Sequence, residues 1–71
     1  MVDDIPRFLD ELCVRLDICL SPEGRARIGL GRFRDVDALE ETILELEGID
    51  PLQASRRLRH DLRELITRHW T

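Results

Sequence analysis

The chain has 71 residues, of which 42% are hydrophobic and 37% are charged, and its formal net charge is −4. A chain of this length makes one small domain, residues 1–71, with no room for a catalytic domain beside a regulatory one. The acidic balance argues against nucleic acid as the main partner. No apolar run approaches the roughly 20 residues that cross a bilayer, so we expect no membrane partner.

The first predicted helix covers residues 4–20, where Asp4 suits the N-cap and Pro6 the first turn. Val14, Leu16, Ile18 and Leu20 also alternate as in a half-buried strand, and we favour the helix. Val14 and Ile18 lie one turn apart on its polar face. They form either a candidate contact patch or the second covered side of a central helix. The other apolar residues share one broad face: Ile5, Phe8, Leu9, Leu12, Cys13, Leu16, Cys19 and Leu20.

The two cysteines, Cys13 and Cys19, both fall in this segment. On a helix their positions are about 9 Å apart along the axis, which is too far for a disulfide. The sequence therefore predicts two free thiols that act as small core residues. Since the N-terminus also lacks the order of a signal peptide, we expect a cytoplasmic location.

A short second helix is predicted to begin at residues 21–23, which supply a hydroxyl cap, a proline and an acid. Gly24 weakens this helix, and Gly29 and Gly31 are expected to end it. Residues 24–34 form a basic connector without an acid, and its arginines are Arg25, Arg27, Arg32 and Arg34. Its expected core anchors are Ala26, Ile28, Leu30 and Phe33.

The third predicted helix spans residues 36–47 and carries no basic residue. Either Asp35 or Asp37 can cap it, and Asp37 with Glu40 makes an acidic form of the capping box. Its narrow apolar stripe consists of Val36, Leu39, Ile43 and Leu46. The helix is expected to stop at Gly48 in a Schellman ending, in which the side chains that touch are Leu44 and Ile49.

The last predicted helix covers residues 50–70, with Asp50 at the N-cap and Pro51 at the first helical position. Its apolar arc consists of Ala54, Leu58, Leu62, Leu65 and Ile66, with Leu52 and Trp70 at the edge. The four segments together predict an all-α fold, a small bundle of three long helices plus one short helix.

Charge segregation is the clearest chemical pattern. One border of the apolar arc carries an arginine stripe, formed by Arg56, Arg59 and Arg63. We favour an internal role, in which these arginines face the acids of the third helix at the rim of the core. The alternative is that the stripe faces a partner together with the basic connector.

Nothing in the sequence predicts an enzyme, a cofactor or a metal. His60 and Glu64 are one turn apart and can begin a metal site, but no further ligands are apparent. The glycines of the connector lack the third glycine and the preceding strand of a phosphate loop. No serine, cysteine or acid has a visible base partner for nucleophilic catalysis.

Two families share features with this chain. Residues 14–47 resemble the ribbon-helix-helix antitoxins, with an alternating apolar segment, a Ser-Pro-Glu helix start and a Gly-Arg-Phe-Arg turn. That resemblance implies a dimer whose paired strands read DNA through Arg15, Asp17 and Cys19. The order of helices is similar to that of acyl carrier proteins, but residues 35–37 lack the serine that carries the prosthetic group.

We therefore expect a non-enzymatic protein–protein interaction module, a regulator, inhibitor or adaptor that uses charged helical faces. The expected partner is an unidentified protein, a homodimer remains open, and a DNA-binding antitoxin-like regulator is the alternative. The candidate binding residues are Arg56, Arg59, Arg63, Arg32, Arg34, Val14 and Ile18.

Overall fold

The computed structural model describes residues 1–71, and 65% of them are helical. The four helices are α1 (Ile5–Leu16), α2 (Pro22–Leu30), α3 (Val36–Leu46) and α4 (Arg56–His69). The predicted all-α fold is confirmed, with three longer helices and a short α2. None of the helices combines the length and the apolar character that a membrane crossing needs.

The core lies where α4 packs against both α1 and α3, while α2 packs against α1. Each helix contributes apolar side chains to one continuous cluster. The fully buried ones are Phe8, Leu12, Ile28, Leu39, Ile43, Leu44, Leu62 and Ile66. The chain ends also meet, because Val2 and Trp70 form an isolated β-bridge.

The end of α1 differs from the prediction. The helix stops at Leu16, and Asp17 adopts the left-handed conformation with a φ of 58°. The backbone N–H groups of Asp17 and Ile18 donate to the carbonyls of Cys13 and Leu12, at 3.1 and 3.2 Å. This is a Schellman-type ending, which satisfies the last carbonyls of the helix and turns the chain back.

That turn corrects the predicted contact patch. Ile18 enters the core and is only 4% exposed, whereas Val14 stays on α1 and is 84% exposed. The two side chains do not share an exposed face, because Val14 belongs to α1 and Ile18 belongs to the turn that follows it. The strand implied by the ribbon-helix-helix resemblance is also absent, since residues 14–16 are helical and residues 17–21 form the turn.

The same turn brings the two cysteines together. Cys13 and Cys19 form a disulfide, with their Cα atoms 4.3 Å apart, and no free cysteine remains. The prediction of free thiols was wrong because it assumed one helix through both positions. Disulfides are characteristic of oxidising environments, so the cysteines no longer support a cytoplasmic location.

Helix α2 begins as predicted, with the backbone N–H of Gly24 donating to Ser21 Oγ at 3.2 Å. It ends later than predicted, because Gly29 is helical and only Gly31 caps it. A side chain at Gly31 would force its neighbours to shift, since a Cβ there would lie 2.8 Å from the ring of Phe33 and 2.9 Å from the carbonyl oxygen of Arg27. The ring therefore packs directly on the backbone and holds the connector against the bundle.

The end of α3 matches the prediction. Gly48 has a φ of 73°, and the N–H of Ile49 donates to the carbonyl of Leu44 at 2.8 Å. The beginning of α3 is capped by Asp35, whose carboxylate accepts from the backbone N–H of Ala38 at 2.9 Å. Both ends of this helix are thus fixed by local backbone chemistry.

The beginning of α4 differs from the prediction. Asp50 does not cap the helix, because its carboxylate accepts from the N–H of Leu52 at 3.0 Å in a separate turn. The helix begins after Ser55, whose hydroxyl accepts from the N–H of Leu58 at 3.1 Å. Residues 50–54 therefore form a linker that leaves Leu52 89% exposed.

We predict that replacing both cysteines with serine lowers the free energy of unfolding by about 2 kcal/mol, because the bridge restricts the unfolded chain. Urea unfolding of the native protein with and without a reductant provides the measurement. The Cys13→Ser/Cys19→Ser variant is the control, since a reductant should not change its midpoint. An unchanged midpoint of the native protein after complete reduction would contradict the prediction.

Candidate functional site

Glu40 of α3 is a charged side chain inside the bundle, with an exposed fraction of 1%. Arg59 Nε donates to its Oε1 at 2.7 Å, and an Arg63 terminal nitrogen donates to its Oε2 at 2.9 Å. Two arginines one turn apart on α4 therefore satisfy both oxygens of one carboxylate. No buried side-chain polar atom of the protein lacks a partner.

Arg63 makes a second ion pair with Asp37, one turn earlier on α3. The hydrogen bond to Asp37 is the main cause that raises the pKa of Arg63, and Glu40 adds to it against the effect of burial. Arg59 also lies 3.5 Å from the carbonyl oxygen of Pro51. These two arginines thus form the internal pairing with α3 that the sequence analysis favoured.

The sequence did not predict that Glu40 is buried. It indicated only that Glu40 is one of several acids on the third helix. Its position gives a weak signal, because it precedes Ile43 and Leu44 by one helical turn and both are fully buried. The spacing of Arg59 and Arg63 gives the matching signal on α4. Neither signal alone specifies that the carboxylate lies inside.

A second polar contact joins the end of α4 to α1. His69 Nε2 donates to Glu11, and the His69 ring packs edge-on against Phe8 with 5.5 Å between ring centres. The hydrogen bond from His69 is the main cause that lowers the pKa of Glu11. The charges of His69, Arg15 and Arg7 act in the same direction, and burial acts against them.

The basic connector keeps its charge on the surface. Arg27 and Arg32 are exposed and form no ion pair, and the ion pair of Arg34 is with the neighbouring Asp35, at 3.6 Å. Leu30 lies one helical turn after Arg27 and is 87% exposed, although the sequence suggested a core anchor. We call Arg27, Leu30, Arg32 and Arg34 the connector patch.

A small apolar crevice opens beside the connector patch. It measures about 50 Å³, and seven of its nine lining residues are hydrophobic. Gly31 and Phe33 line it from the connector, Gly29 from α2, and Trp70 from the end of α4. Two larger and shallower grooves, of about 350 and 360 Å³, run along α4 and are lined mainly by charged side chains.

The structure also places three possible metal ligands together on the exposed face of α4. The ligand atoms of His60, Asp61 and Glu64 lie within 4.8 Å of one another. His60 Nε2 is 3.6 Å from a carboxylate oxygen of Glu64, which is the helical pairing expected from their spacing. An imidazole and two carboxylates would suit a divalent cation, but all three come from one helix and the cluster includes no fourth ligand.

The predicted binding residues thus separate into groups with different surroundings. Arg59 and Arg63 are engaged by α3, and Ile18 is buried. The exposed ones that form no ion pair beyond a neighbour in the chain are Arg32, Arg34, Arg56 and Val14, whereas Arg63 is both exposed and paired. Comparison with protein-family models, with curated proteins and with solved structures gave no match to this chain.

We predict an acid-dependent loss of stability that depends on Glu11. Its pKa in the folded protein is below the ordinary value of 4.5, so its stabilising effect is complete above that pH. The effect is lost as the pH falls through the lowered pKa. Urea unfolding of the native protein and of Glu11→Gln, at pH values from about 3 to 6, provides the measurement.

The difference in unfolding free energy between these two proteins should be largest at the upper end of that range and should shrink in acid. The variant Asp10→Gln is a matched control on the same helix, because Asp10 is exposed and pairs with Arg25 at 3.3 Å. A Glu11→Gln difference that stays constant across the range would contradict the prediction.

Proposed function

We propose that this protein is a small non-enzymatic interaction module, and that its connector patch binds an acidic segment of a partner protein. The observation that carries the proposal is the unequal use of arginines. Arg59 and Arg63 are paired with acids of α3, whereas Arg27 and Arg32 have no acidic partner. These two unpaired arginines lie in the chain on either side of the exposed Leu30. An acidic partner would supply the missing carboxylates.

The chemistry of the patch suits protein recognition. Guanidinium groups bind carboxylates through two parallel hydrogen bonds, and such pairs strengthen when a neighbouring apolar contact excludes water. Leu30, 87% exposed between Arg27 and Arg32 in the chain, offers that apolar contact. The patch also sits on a rigid support, because Gly31 and Phe33 pack tightly at the end of α2.

The patch comprises four residues within eight positions of the chain, which favours a short segment of the partner over a broad surface. A regulator, an inhibitor or an adaptor would bind in this way, and the net charge of −4 would repel a nucleic acid from the rest of the surface. The DNA-binding alternative draws no support from the fold, because its reading strand is replaced by α1 and the disulfide turn.

We predict that reversing the charge of the patch in Arg27→Glu/Arg32→Glu/Arg34→Glu abolishes partner binding. The native protein and this variant are used as baits in extracts of the native host, and a recovered protein is purified for direct binding measurements. We expect the variant to bind it about tenfold more weakly or worse, because two or more ion pairs become repulsive.

The matched control is Arg56→Glu/Arg57→Glu/Arg68→Glu, which changes the charge equally at exposed arginines of α4 that form no ion pair. Circular dichroism confirms that both variants stay folded. Equal loss of binding in the two variants would contradict a specific site. Recovery that disappears after nuclease treatment would instead identify a nucleic acid and overturn the proposal.

A further inference from the structure

We propose that the apolar crevice beside the connector patch receives one aliphatic side chain of the bound acidic segment. This inference rests on the proposed function and names the sequence that the patch would recognise. The ligand is a segment in which a leucine, isoleucine or valine is accompanied by aspartate or glutamate. The crevice would hold the apolar side chain while the arginines bind the acids.

The size of the crevice selects this occupant. At about 50 Å³ it exceeds the space that a single water molecule needs, yet it is several times smaller than pockets that hold cofactors or metabolites. Its lining is almost entirely apolar, so water inside it finds few hydrogen-bonding partners. A branched aliphatic side chain suits such a small apolar hollow, whereas a charged group would lose its hydration there without gaining a partner.

Gly29 provides an independent indication that the crevice is kept open. It is helical and lines the crevice, and a Cβ added there would meet only Ile5 Cγ2, at an ordinary distance of 3.9 Å. Neither packing nor backbone geometry requires a glycine at this position. Glycine inside a helix is destabilising by about 1 kcal/mol relative to alanine, so its presence has a structural cost without a structural reason.

The charges around the crevice give the ligand a direction. Gly31 and Phe33 line the crevice and flank Arg32 in the chain, which places positive charge along the connector side. The opposite side carries both signs of charge, from the α-amino group of the lining residue Met1 and from the exposed Asp3. The α-amino group already donates to the carbonyl oxygen of the last residue of the chain, at 3.3 Å, whereas Arg32 has no acidic partner. The acids of the ligand therefore lie toward the connector, and its aliphatic residue lies toward the joined chain ends.

Trp70 makes the proposal directly measurable, because it is the only tryptophan of the chain and it lines the crevice. The probe is a blocked peptide of sequence Glu-Asp-Glu-Leu-Glu-Asp-Glu, titrated into the full chain while Trp70 fluorescence is recorded. We expect a saturable change with a Kd below about 1 mM. A peptide with serine in place of leucine should bind about tenfold more weakly.

Variants at Gly29 separate filling of the crevice from loss of folding. Gly29→Leu should reduce the affinity for the leucine peptide about tenfold, to that of the serine peptide. Gly29→Ala is the folding control, and its melting temperature should rise because alanine favours the helix. Unchanged affinity in Gly29→Leu, or equal binding of the two peptides, would overturn the proposal.

The outcomes also distinguish this inference from the proposed function. Equal binding of both peptides that is lost in Arg27→Glu/Arg32→Glu/Arg34→Glu overturns the crevice and keeps the patch. Leucine-dependent binding that survives this charge reversal overturns the patch as the acid-binding surface. Absence of binding by either peptide up to about 1 mM overturns the crevice proposal, while the partner recovered from the native host decides the proposed function.

Discussion

The carboxylate of Glu40 lies inside the bundle, and an ionised carboxylate without a partner there would destabilise the fold by several kcal/mol. Helix α4 must therefore approach α3 in the one register that brings Arg59 and Arg63 to the two oxygens. That register also joins the apolar residues of α3 and α4 in a single core. It commits these two arginines to acids of α3, whereas Arg27 and Arg32 of the connector patch have no acidic partner.

A domain of this length buries a modest core, so connections outside the core matter more than in a larger protein. The Cys13–Cys19 bridge holds the turn after α1 and keeps Ile18 in the core. The Glu11–His69 contact fastens the end of α4 to α1. The chain ends, the end of α2 and the connector meet around the apolar crevice, so the proposed binding surface is supported from several sides.

The sequence predicts the helices and some of their ends, and it misses two local features, the ending at Asp17 and the cap at Ser55, as well as burial that depends on contacts between helices. The Schellman ending at Gly48 was predicted because glycine readily adopts the left-handed conformation that this ending requires. The end of α1 was not predicted, because Asp17 adopts the left-handed conformation that is usually marked by a glycine in the sequence. The sequence does not distinguish Glu40 from an exposed acid, because its burial depends on the packing of α4 against α3. For Leu30, the expected core anchor became a surface residue because α2 continues through Gly29.

The most direct test of the central claim is a double-mutant cycle that combines Glu40→Gln with Arg59→Gln/Arg63→Gln and follows unfolding in urea. If the arginines stabilise the fold through the Glu40 carboxylate, the changes couple by about 1 kcal/mol or more. A parallel cycle with Arg56→Gln should show no coupling, because Arg56 is exposed and unpaired. Additivity of the Glu40 and Arg59/Arg63 changes within about 0.5 kcal/mol would contradict the claim.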